Sequence, residues 1–330
     1  MTNYDLEFKK DLYFAIKKNN NIGSIKEIDF KKINQVTKGK KINLLTYSFP
    51  CQDLSSANGF HQKNLGMKKG SNTRSGLVWE IERILNQLND FGELPDFLLL
   101  ENVNALLNKK HIDDYKEWLK SLRDLNYSTV TFQLNSSDYG SVQSRKRVYA
   151  ISILNYWGKI DQDGNILDID KPLPTPKRKS IKDILKVDYE NEHHYQEALI
   201  SQPNRTPSRK LIFEKNPKID INSTSSLIRT LTTRQDRHPN SGVIDLKNTK
   251  LDNSSRKKNN KANFRFLTPR EAYLLMGFEE KDYEKISSKS ISKTKMYQHA
   301  GNSISIEVME KIMEIIQKKF HEKEEHNDKR

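Results

Sequence analysis

Three short apolar runs, each bordered by polar or charged residues, restrict the folds open to this chain. The runs are Leu44–Tyr47, Phe97–Leu100 and Val148–Ile153. Each has the length and composition of a buried β-strand. Apolar residues recur at helical spacing over Leu77–Leu88, and a further helix is predicted over about 113–125. An alternation of strands and helices predicts an α/β fold with a parallel sheet.

The only cysteine of the chain, Cys51, closely follows the first apolar run. In open α/β sheets ligands bind at the carboxyl ends of the strands, and Cys51 occupies such a position. A free cysteine is nonetheless more often an inert buried residue than a nucleophile. The second run ends in Glu101, so a carboxyl group takes the matching place on another strand. The sequence therefore predicts a thiol and a carboxyl group at the same edge of the sheet.

Short motifs stand at or beside all three runs: Pro50-Cys51-Gln52, Glu101-Asn102-Val103 and Gln143-x-Arg145-x-Arg147. Each motif is weak evidence alone, but in this order they resemble the signature of the cytosine carbon-5 DNA methyltransferases. Other segments are similar to further motifs of that family: Asn72–Leu77 with Val78–Arg83, Arg265–Phe278 and Ala300–Ile304. The resemblance runs from about Asn43 to Ser303 and is greatest to the bacterial restriction-modification enzymes.

The resemblance implies a Rossmann-like S-adenosylmethionine-dependent methyltransferase sheet, with a small, loop-rich target-recognition domain inserted before the last helices. Prolines break the periodicity between Asn155 and Asn263, and basic residues are interspersed there. Such a module suits contacts to base edges and phosphates. We expect a catalytic domain over 1–154 and 264–320, a recognition domain over 155–263, and a disordered tail over 321–330.

The chemistry of cytosine defines what the resemblance implies about the site. Carbon 5 is a poor nucleophile, so a thiolate must first add to carbon 6, and the base must be flipped out of the duplex. By motif position, Cys51 is the thiolate, Glu101 donates a proton to N3, and Arg145 holds the base oxygen. The resemblance assigns cofactor contacts to Pro50, Leu77, Asn302 and Ser303. It assigns DNA contacts to Gln143, Arg147, Arg229, Arg234 and Arg237, and it assigns no metal ligands.

The charge of the chain agrees with double-stranded DNA as the partner. Lysine and arginine outnumber the acidic residues 57 to 43, which gives a net charge of +14. This balance favours polyanions, although it also fits a basic protein with no nucleic-acid partner. The segment Ser55–Ser71 is polar and carries glycines, and we expect it to close over flipped DNA as a lid.

Cysteine usage and hydropathy indicate the compartment. A single cysteine excludes an intrachain disulfide and fits a reducing environment. No apolar run approaches the length of about 20 residues that crosses a bilayer, and no cleavable signal is recognisable. We expect a cytoplasmic, nucleoid-associated protein without a membrane partner, and a monomer when complete.

The amino-terminal part departs from the family pattern. The family's catalytic domain opens with a strand and a Phe-x-Gly-x-Gly turn that hold S-adenosylmethionine, and this sequence contains neither. Residues 1–21 predict an amphipathic helix instead. Ile22-Gly23-Ser24-Ile25 resembles a later Gly-Asp-Ile motif, with Ser24 in place of the aspartate. We therefore expect a separately encoded amino-terminal fragment as a partner, without which the chain would methylate DNA feebly or not at all.

Three functions remain open from the sequence. They are an active DNA cytosine methyltransferase, a member of the tRNA-modifying branch of the family, and a truncated or split fragment that binds DNA with weak or no turnover. The long variable segment before Arg265 argues for DNA, because the tRNA-modifying branch lacks a comparable recognition module. The missing glycine turn argues for the truncated or split form.

Overall fold

The computed structural model describes residues 6–51, 53–54, 66–71, 73–175, 179–223, 226–252, 260–289 and 291–328. The chain forms two compact units. The sheet unit comprises Met1–Leu134, Lys146–Pro172 and Glu314–Arg330, and the second unit comprises Asn135–Arg145 and Leu173–Met313. Of the predicted lid, residues 55–65 lie outside the described part of the chain.

The described residues contain helices and strands in alternation at first and mostly helices later. The helices are α1 Leu6–Lys18, α2 Phe30–Thr37, α3 Val78–Asp90, α4 Ile112–Asp124, α5 Ile181–Ile184, α6 Glu192–Ser201, α7 Pro207–Lys215, α8 Pro269–Leu275, α9 Glu280–Ser287, α10 Lys293–Asn302 and α11 Ile306–Asp328. The strands are β1 Leu44–Tyr47, β2 Phe97–Val103, β3 Tyr127–Asn135, β4 Gln143–Ser144, β5 Lys146–Leu154, β6 Ile228–Arg229, β7 Ile244–Asp245 and β8 Phe264–Arg265. Within the described ranges, every helix is too short or too polar to cross a bilayer.

The main sheet is mixed, with strand order β1-β2-β5-β3. Strands β1 and β2 are parallel, as predicted, with Tyr47 opposite Leu100. Strand β5 runs antiparallel to β2, with Val103 opposite Arg147, so the predicted parallel pairing is found between β1 and β2 but not between β2 and β5. Parallel neighbours need a long crossover, usually a helix, whereas only residues 136–145 connect β3 to β5.

The core of the sheet unit lies where helices α3 and α4 cover the sheet. Helix α3 buries one apolar stripe, and its buried residues are Val78, Ile81, Ile84, Leu85 and Leu88. On α4, Trp118 and Leu122 are buried. Trp118 also donates its indole N–H to the Tyr47 hydroxyl at 3.1 Å, which ties the carboxyl end of β1 to α4. This packing fixes the strand end that precedes Cys51.

Both ends of the sheet unit are helical. Helix α1 forms as predicted, yet its large apolar residues Leu6, Leu12 and Phe14 are exposed. Helix α11 continues to Asp328, so the described part of the tail 321–330 is helical and the prediction of disorder there is wrong. The reason is a charge contact, because Lys323 Nζ donates to Asp96 Oδ1 at 2.6 Å.

Asp96 is the buried carboxylate that makes this contact favourable. Burial raises the pKa of Asp96, but hydrogen bonds from Lys323 and Lys41 outweigh it and lower the pKa below its usual value. A charged tail can therefore be ordered when it pairs with a partly desolvated carboxylate. Composition alone does not reveal such a partner.

The second unit is built around a buried ion pair between Arg265 and Glu271. Both side chains are fully buried, and the guanidinium donates two parallel hydrogen bonds to the carboxylate at 2.8 Å. Arg265 Nε also donates to the Tyr189 hydroxyl at 2.9 Å, and Glu271 accepts from the Lys186 amide at 2.8 Å. These bonds connect residues after 264 to the segment around 186–189. The predicted domain boundary at 263/264 would instead place the two segments in different domains.

Candidate active site

The carboxyl ends of β1 and β2 meet at one edge of the sheet. Because the two strands are parallel with Tyr47 opposite Leu100, the next residues, Ser48 and Glu101, are also neighbours. The Ser48 hydroxyl donates to Glu101 Oε2 at 3.2 Å. The predicted approach of the segment carrying Cys51 to the strand carrying Glu101 is thus present in the described structure.

Asn102 attaches the turn that carries Cys51 to β2. Its side chain is buried, and Nδ2 donates to the Phe49 carbonyl at 3.1 Å. The turn itself closes through a hydrogen bond from the Leu54 amide to the Cys51 carbonyl at 3.1 Å. Cys51 remains partly exposed, as a nucleophile that must reach a substrate requires. Gln52, the last residue of that motif, lies outside the described residues.

A second anchor of this turn comes from the segment before α3. Asp53 Oδ2 accepts from the Ser75 amide at 3.1 Å, and Asp53 Oδ1 pairs with Arg74 at 3.4 Å. The buried Ser75 hydroxyl donates to the Pro50 carbonyl. An aspartate at the beginning of a helical segment satisfies free amides there and suits the helix dipole. The positioning roles of Asp53 and Ser75 are not predicted from the sequence. The two residues are 22 positions apart, and local sequence patterns extend over only a few residues.

Arg147, rather than Arg145, lies beside Glu101. Arg147 stands opposite Val103 in the antiparallel register, and Glu101 is two residues before Val103 on the same face of β2. This diagonal brings Arg147 Nε within 3.3 Å of Glu101 Oε1. The two side chains are only 16% and 11% exposed, so the pair is partly shielded from water.

Two residues predicted to act on the substrate, Arg145 and Gln143, contact backbone groups of the second unit. Arg145 is buried, and its guanidinium donates to three backbone carbonyls of the second unit, those of Leu231, Gly301 and Ser303, at 3.0 to 3.1 Å. Gln143 is fully buried, where its Nε2 donates to the Leu275 carbonyl at 3.2 Å and its Oε1 accepts from the Leu231 amide at 2.7 Å. In this conformation, Arg145 is committed to backbone carbonyls and Gln143 is not accessible to DNA.

The three other arginines predicted to contact DNA are exposed on the second unit. Arg229 ends β6, and Arg234 and Arg237 lie in the loop that follows. A buried polar network shapes this loop, in which Gln235 Nε2 donates to the Thr232 carbonyl at 2.8 Å and Ser241 donates to Gln235 Oε1 at 2.6 Å. These hydrogen bonds connect residues within the loop, and the side chains of Arg229, Arg234 and Arg237 are exposed to solvent.

Gly301 is required by this loop. A Cβ atom at Gly301 would lie 2.6 Å from the Thr232 carbonyl carbon and 2.7 Å from the Thr233 amide nitrogen. Real contacts of that kind essentially never occur, so only glycine allows the loop and α10 to approach this closely. The motif Ala300–Ile304 thus supports the loop that carries Arg234 and Arg237.

An apolar cavity of about 560 Å³ lies beside β1 in the sheet unit. It is lined by residues from β1 and the residues after it, from α3, and from the segment 22–42, and Pro50 and Leu77 are among them. Two of the four predicted cofactor contacts therefore share one cavity. The other two, Asn302 and Ser303, belong to the second unit, where the Ser303 hydroxyl donates to the Ala300 carbonyl at 2.7 Å.

The lining of this cavity does not fit the whole of S-adenosylmethionine. The described residues around it are mostly aliphatic, with hydroxyl groups from Thr37, Thr46, Tyr47 and Ser48 and no charged side chain. The Tyr47 hydroxyl already accepts from Trp118. A nucleoside with two ribose hydroxyls and a charged amino-acid group needs polar partners when it is buried. This wall supplies mainly apolar contacts, a few hydroxyl groups and no charged partner.

Comparisons with known proteins agree with these motifs. A model of the C-5 cytosine-specific DNA methylase family matches residues 3–318. The orphan methyltransferase M.SssI of Spiroplasma monobiae is 34% identical over 317 residues, which cover 93% of this chain and 73% of that protein. The type II methyltransferase M2.ScrFI of Lactococcus lactis subsp. cremoris is 30% identical, and the match covers 92% of this chain and 72% of that protein.

Solved structures with the same fold include two methyltransferases. The S. pombe Dnmt2 methyltransferase has a TM-score of 0.61 at 19% identity, covering 90% of this chain and 82% of that one. The Entamoeba histolytica methyltransferase EhMeth has a TM-score of 0.62 at 19% identity, covering 91% and 83%. These likenesses confirm the Rossmann-like methyltransferase fold. The extent of the family match does not favour a remnant that only binds DNA, and the chain belongs to the C-5 cytosine-specific DNA methylase family.

Proposed function

We propose that Cys51, Glu101 and Arg147 form the catalytic centre of a methyltransferase acting on carbon 5 of a flipped cytosine in a specific duplex DNA sequence. The observation that carries this assignment is the cluster of Ser48, Glu101 and Arg147 at the edge of the sheet where the Cys51 turn begins. A thiol, a carboxyl group and a guanidinium are the three groups that activation of cytosine requires.

Each side chain has a distinct part in this mechanism. The Cys51 thiolate adds to carbon 6 of the base, which makes carbon 5 electron-rich enough to take the methyl group. Loss of the carbon-5 proton to a base then breaks the bond between carbon 6 and sulfur and releases Cys51 as the thiolate. Glu101 supplies the proton that N3 takes up as negative charge builds on the ring. Arg147 orients the Glu101 carboxyl group and donates to the base oxygen, which replaces the role that motif position alone assigned to Arg145. Ser48 positions Glu101 from the β1 side.

Arginine substitutions test this assignment. Arg147→Ala should lower the rate of methylation by about two to three powers of ten, the usual cost of one lost donor to developing charge, with little change in the stability of the fold. Arg145→Ala should instead lower the free energy of unfolding by about 3 kcal/mol or more, because several carbonyls lose a charged partner. Single-turnover methylation and urea unfolding of both variants separate the two roles. Equal catalytic losses in two equally stable variants would contradict the assignment.

The family implies S-adenosylmethionine as the methyl donor. We propose that this chain supplies the apolar part of the donor's site through Pro50 and Leu77, with Asn302 and Ser303 as further contacts by motif position. The aliphatic lining of the cavity supports contacts to the apolar part of the donor only. The enzyme would act as a monomer.

Sequence recognition is proposed for the segment 155–263. Its exposed arginines Arg229, Arg234 and Arg237 suit phosphate and base contacts, and the buried network around Gln235 supports a fixed loop. The relatives that are named type II methyltransferases support a place for this protein in a restriction-modification system. Such an enzyme would work in the cytoplasm, at the nucleoid.

Exchange of the segment 155–263 tests its role. If it sets the target, a chimera carrying the corresponding segment of M2.ScrFI should methylate the sequence that the donor methylates, because the catalytic residues lie outside the segment. Bisulfite sequencing of DNA from cells that make each protein reports the methylated sites. A chimera that is folded and active but keeps the original target would place recognition elsewhere.

A further inference from the structure

We propose that His111 is a positioning residue for Cys51, and that its neutral ring holds the Cys51 turn and the residues from Gly66 onward in place. This inference rests on the proposed function, since it concerns how the nucleophile is held. It depends on three features of the sheet unit: the burial of His111, the hydrogen bond of its ring to Leu54, and the contact of its ring with Gly66.

The backbone of His111 has a rigid support. His111 immediately precedes α4 and is buried. Its amide donates to the Asn108 carbonyl at 2.8 Å, and its carbonyl accepts from the Tyr115 amide at 3.0 Å. Tyr115 in turn belongs to the hydrophobic core of the sheet unit. The position from which the ring extends is therefore fixed by the first turn of a helix that is anchored in the core.

The ring of His111 connects α4 to the Cys51 turn. It forms a hydrogen bond with the Leu54 backbone, and this bond raises the pKa of the ring, as a bond donated by a ring N–H to a carbonyl does. The Leu54 amide donates to the Cys51 carbonyl at 3.1 Å, and the Leu54 side chain is buried. Two successive hydrogen bonds therefore lead from His111 to the residue that carries the thiol.

The same ring also packs against Gly66. The φ angle of Gly66 is +56°, and a Cβ atom there would lie 2.5 Å from Nδ1 and 2.9 Å from Cε1 of His111. The ring thus occupies the space that any other residue at this position would need for its side chain. The Gly66 carbonyl accepts from Thr73 Oγ1 at 2.7 Å, so a second contact also holds this residue. One imidazole therefore contacts the two described residues, Leu54 and Gly66, that border 55–65.

The surroundings of the ring favour its neutral form. Burial lowers the pKa of His111 below its usual value, and the charge of Lys110 lowers it further, whereas Asp114 and the bond to Leu54 raise it by less. Further out, Lys68, Asp113 and Glu117 act on Asp114, and Asp53 beside Leu54 is paired with Arg74. A proton on the ring would place a charge in this buried site. The contribution of the neutral ring is complete above the usual pKa of histidine and is lost as the pH falls through the lowered pKa.

The test measures how fast iodoacetamide alkylates the full chain. Cys51 is the only cysteine, so the rate reports the surroundings of this one thiol and does not depend on DNA, cofactor or methylation. A turn that is held closed should expose the thiol less than a turn that opens locally. The rates are measured from about pH 5 to about pH 8, the range in which a histidine titrates.

Substitutions of His111 distinguish positioning by the ring from simple filling of space. His111→Gln keeps an N–H donor for the Leu54 carbonyl and does not titrate in this range, so at neutral pH it should react like the unaltered chain. His111→Leu keeps an apolar side chain of similar size but has no donor, so it should react about fivefold faster or more, the equivalent of one lost hydrogen bond. As the pH falls, the rate of the unaltered chain relative to His111→Gln should rise by a similar factor. This ratio removes the titration of the thiol itself.

A matched pair of glycine substitutions tests the second contact of the ring. Gly66 and Gly70 both have positive φ angles, +56° and +75°, so alanine is strained at both positions. A Cβ atom at Gly66 meets the His111 ring, whereas a Cβ atom at Gly70 has nothing within 4 Å. Gly66→Ala should therefore displace the ring and raise the alkylation rate about fivefold, as His111→Leu does. Gly70→Ala should leave the rate unchanged.

Each outcome decides for or against the proposal. Faster alkylation of His111→Leu and Gly66→Ala, normal rates for His111→Gln and Gly70→Ala, and a ratio that rises at low pH support it. A normal rate for His111→Leu, a ratio that is independent of pH, or equal effects of the two alanine substitutions overturns it. If His111→Leu does not fold, the glycine pair and the pH dependence of the ratio decide. Failure of the catalytic assignment would appear separately, in the covalent trapping experiment with Cys51.

Discussion

Replacing Cys51 by serine should abolish the covalent bond between this protein and cytosine and lower methylation by about four powers of ten or more. The serine hydroxyl is a far weaker nucleophile than a thiolate, so it cannot add to carbon 6 at a useful rate. The exchange is nearly isosteric, and the anchors of the turn by Asn102 and Ser75 do not involve the Cys51 side chain. DNA affinity should therefore stay the same.

The measurement is trapping on DNA in which every cytosine is replaced by 5-fluorocytosine, so that the target sequence need not be known. S-Adenosylmethionine is added. Fluorine at carbon 5 blocks release of the enzyme, and a denaturation-resistant complex should accumulate with the unaltered chain. Because Cys51 is the only cysteine, a thioether adduct has only one site of attachment. An adduct of equal yield in Cys51→Ser would show that another residue is the nucleophile.

Replacing Glu101 by glutamine should slow methylation by about two to four powers of ten, the usual contribution of a general acid. The amide keeps the size of the side chain and can still accept from Ser48, but it cannot deliver a proton to N3. It also removes the negative charge that holds Arg147 at 3.3 Å, so orientation and proton transfer are lost together. Single-turnover rates with saturating DNA report the effect on the chemical step.

A matched control separates this loss from a general effect of removing charge. Glu117 is an exposed glutamate on α4 in the same unit, and Glu117→Gln should retain the rate of the unaltered protein. The thermal unfolding of Glu101→Gln should resemble that of the control. A rate within threefold of the unaltered protein would remove Glu101 from the mechanism.

The different roles of the two arginines in the Gln143-x-Arg145-x-Arg147 motif could not be predicted from the sequence. Both have the same charge and the same neighbours along the chain, so the motif alone does not distinguish their roles. The antiparallel register places Arg147 diagonally across from Glu101. Arg145 instead meets the carbonyls of Leu231, Gly301 and Ser303, which lie far away in the sequence. Contacts between residues that are distant in the sequence therefore decide which of the two arginines pairs with Glu101.

The amino-acid sequence by itself determined strands β1, β2 and β5, helices α1, α3 and α4, and the two strand ends that carry Cys51 and Glu101. Those features depend on local periodicity and on short motifs, which act over a few residues. Only the tertiary structure decided the direction of β5, the burial of Gln143 and the contact of the helical tail with Asp96. Each of these depends on contacts between residues that are distant in sequence, and no local pattern specifies such a partner.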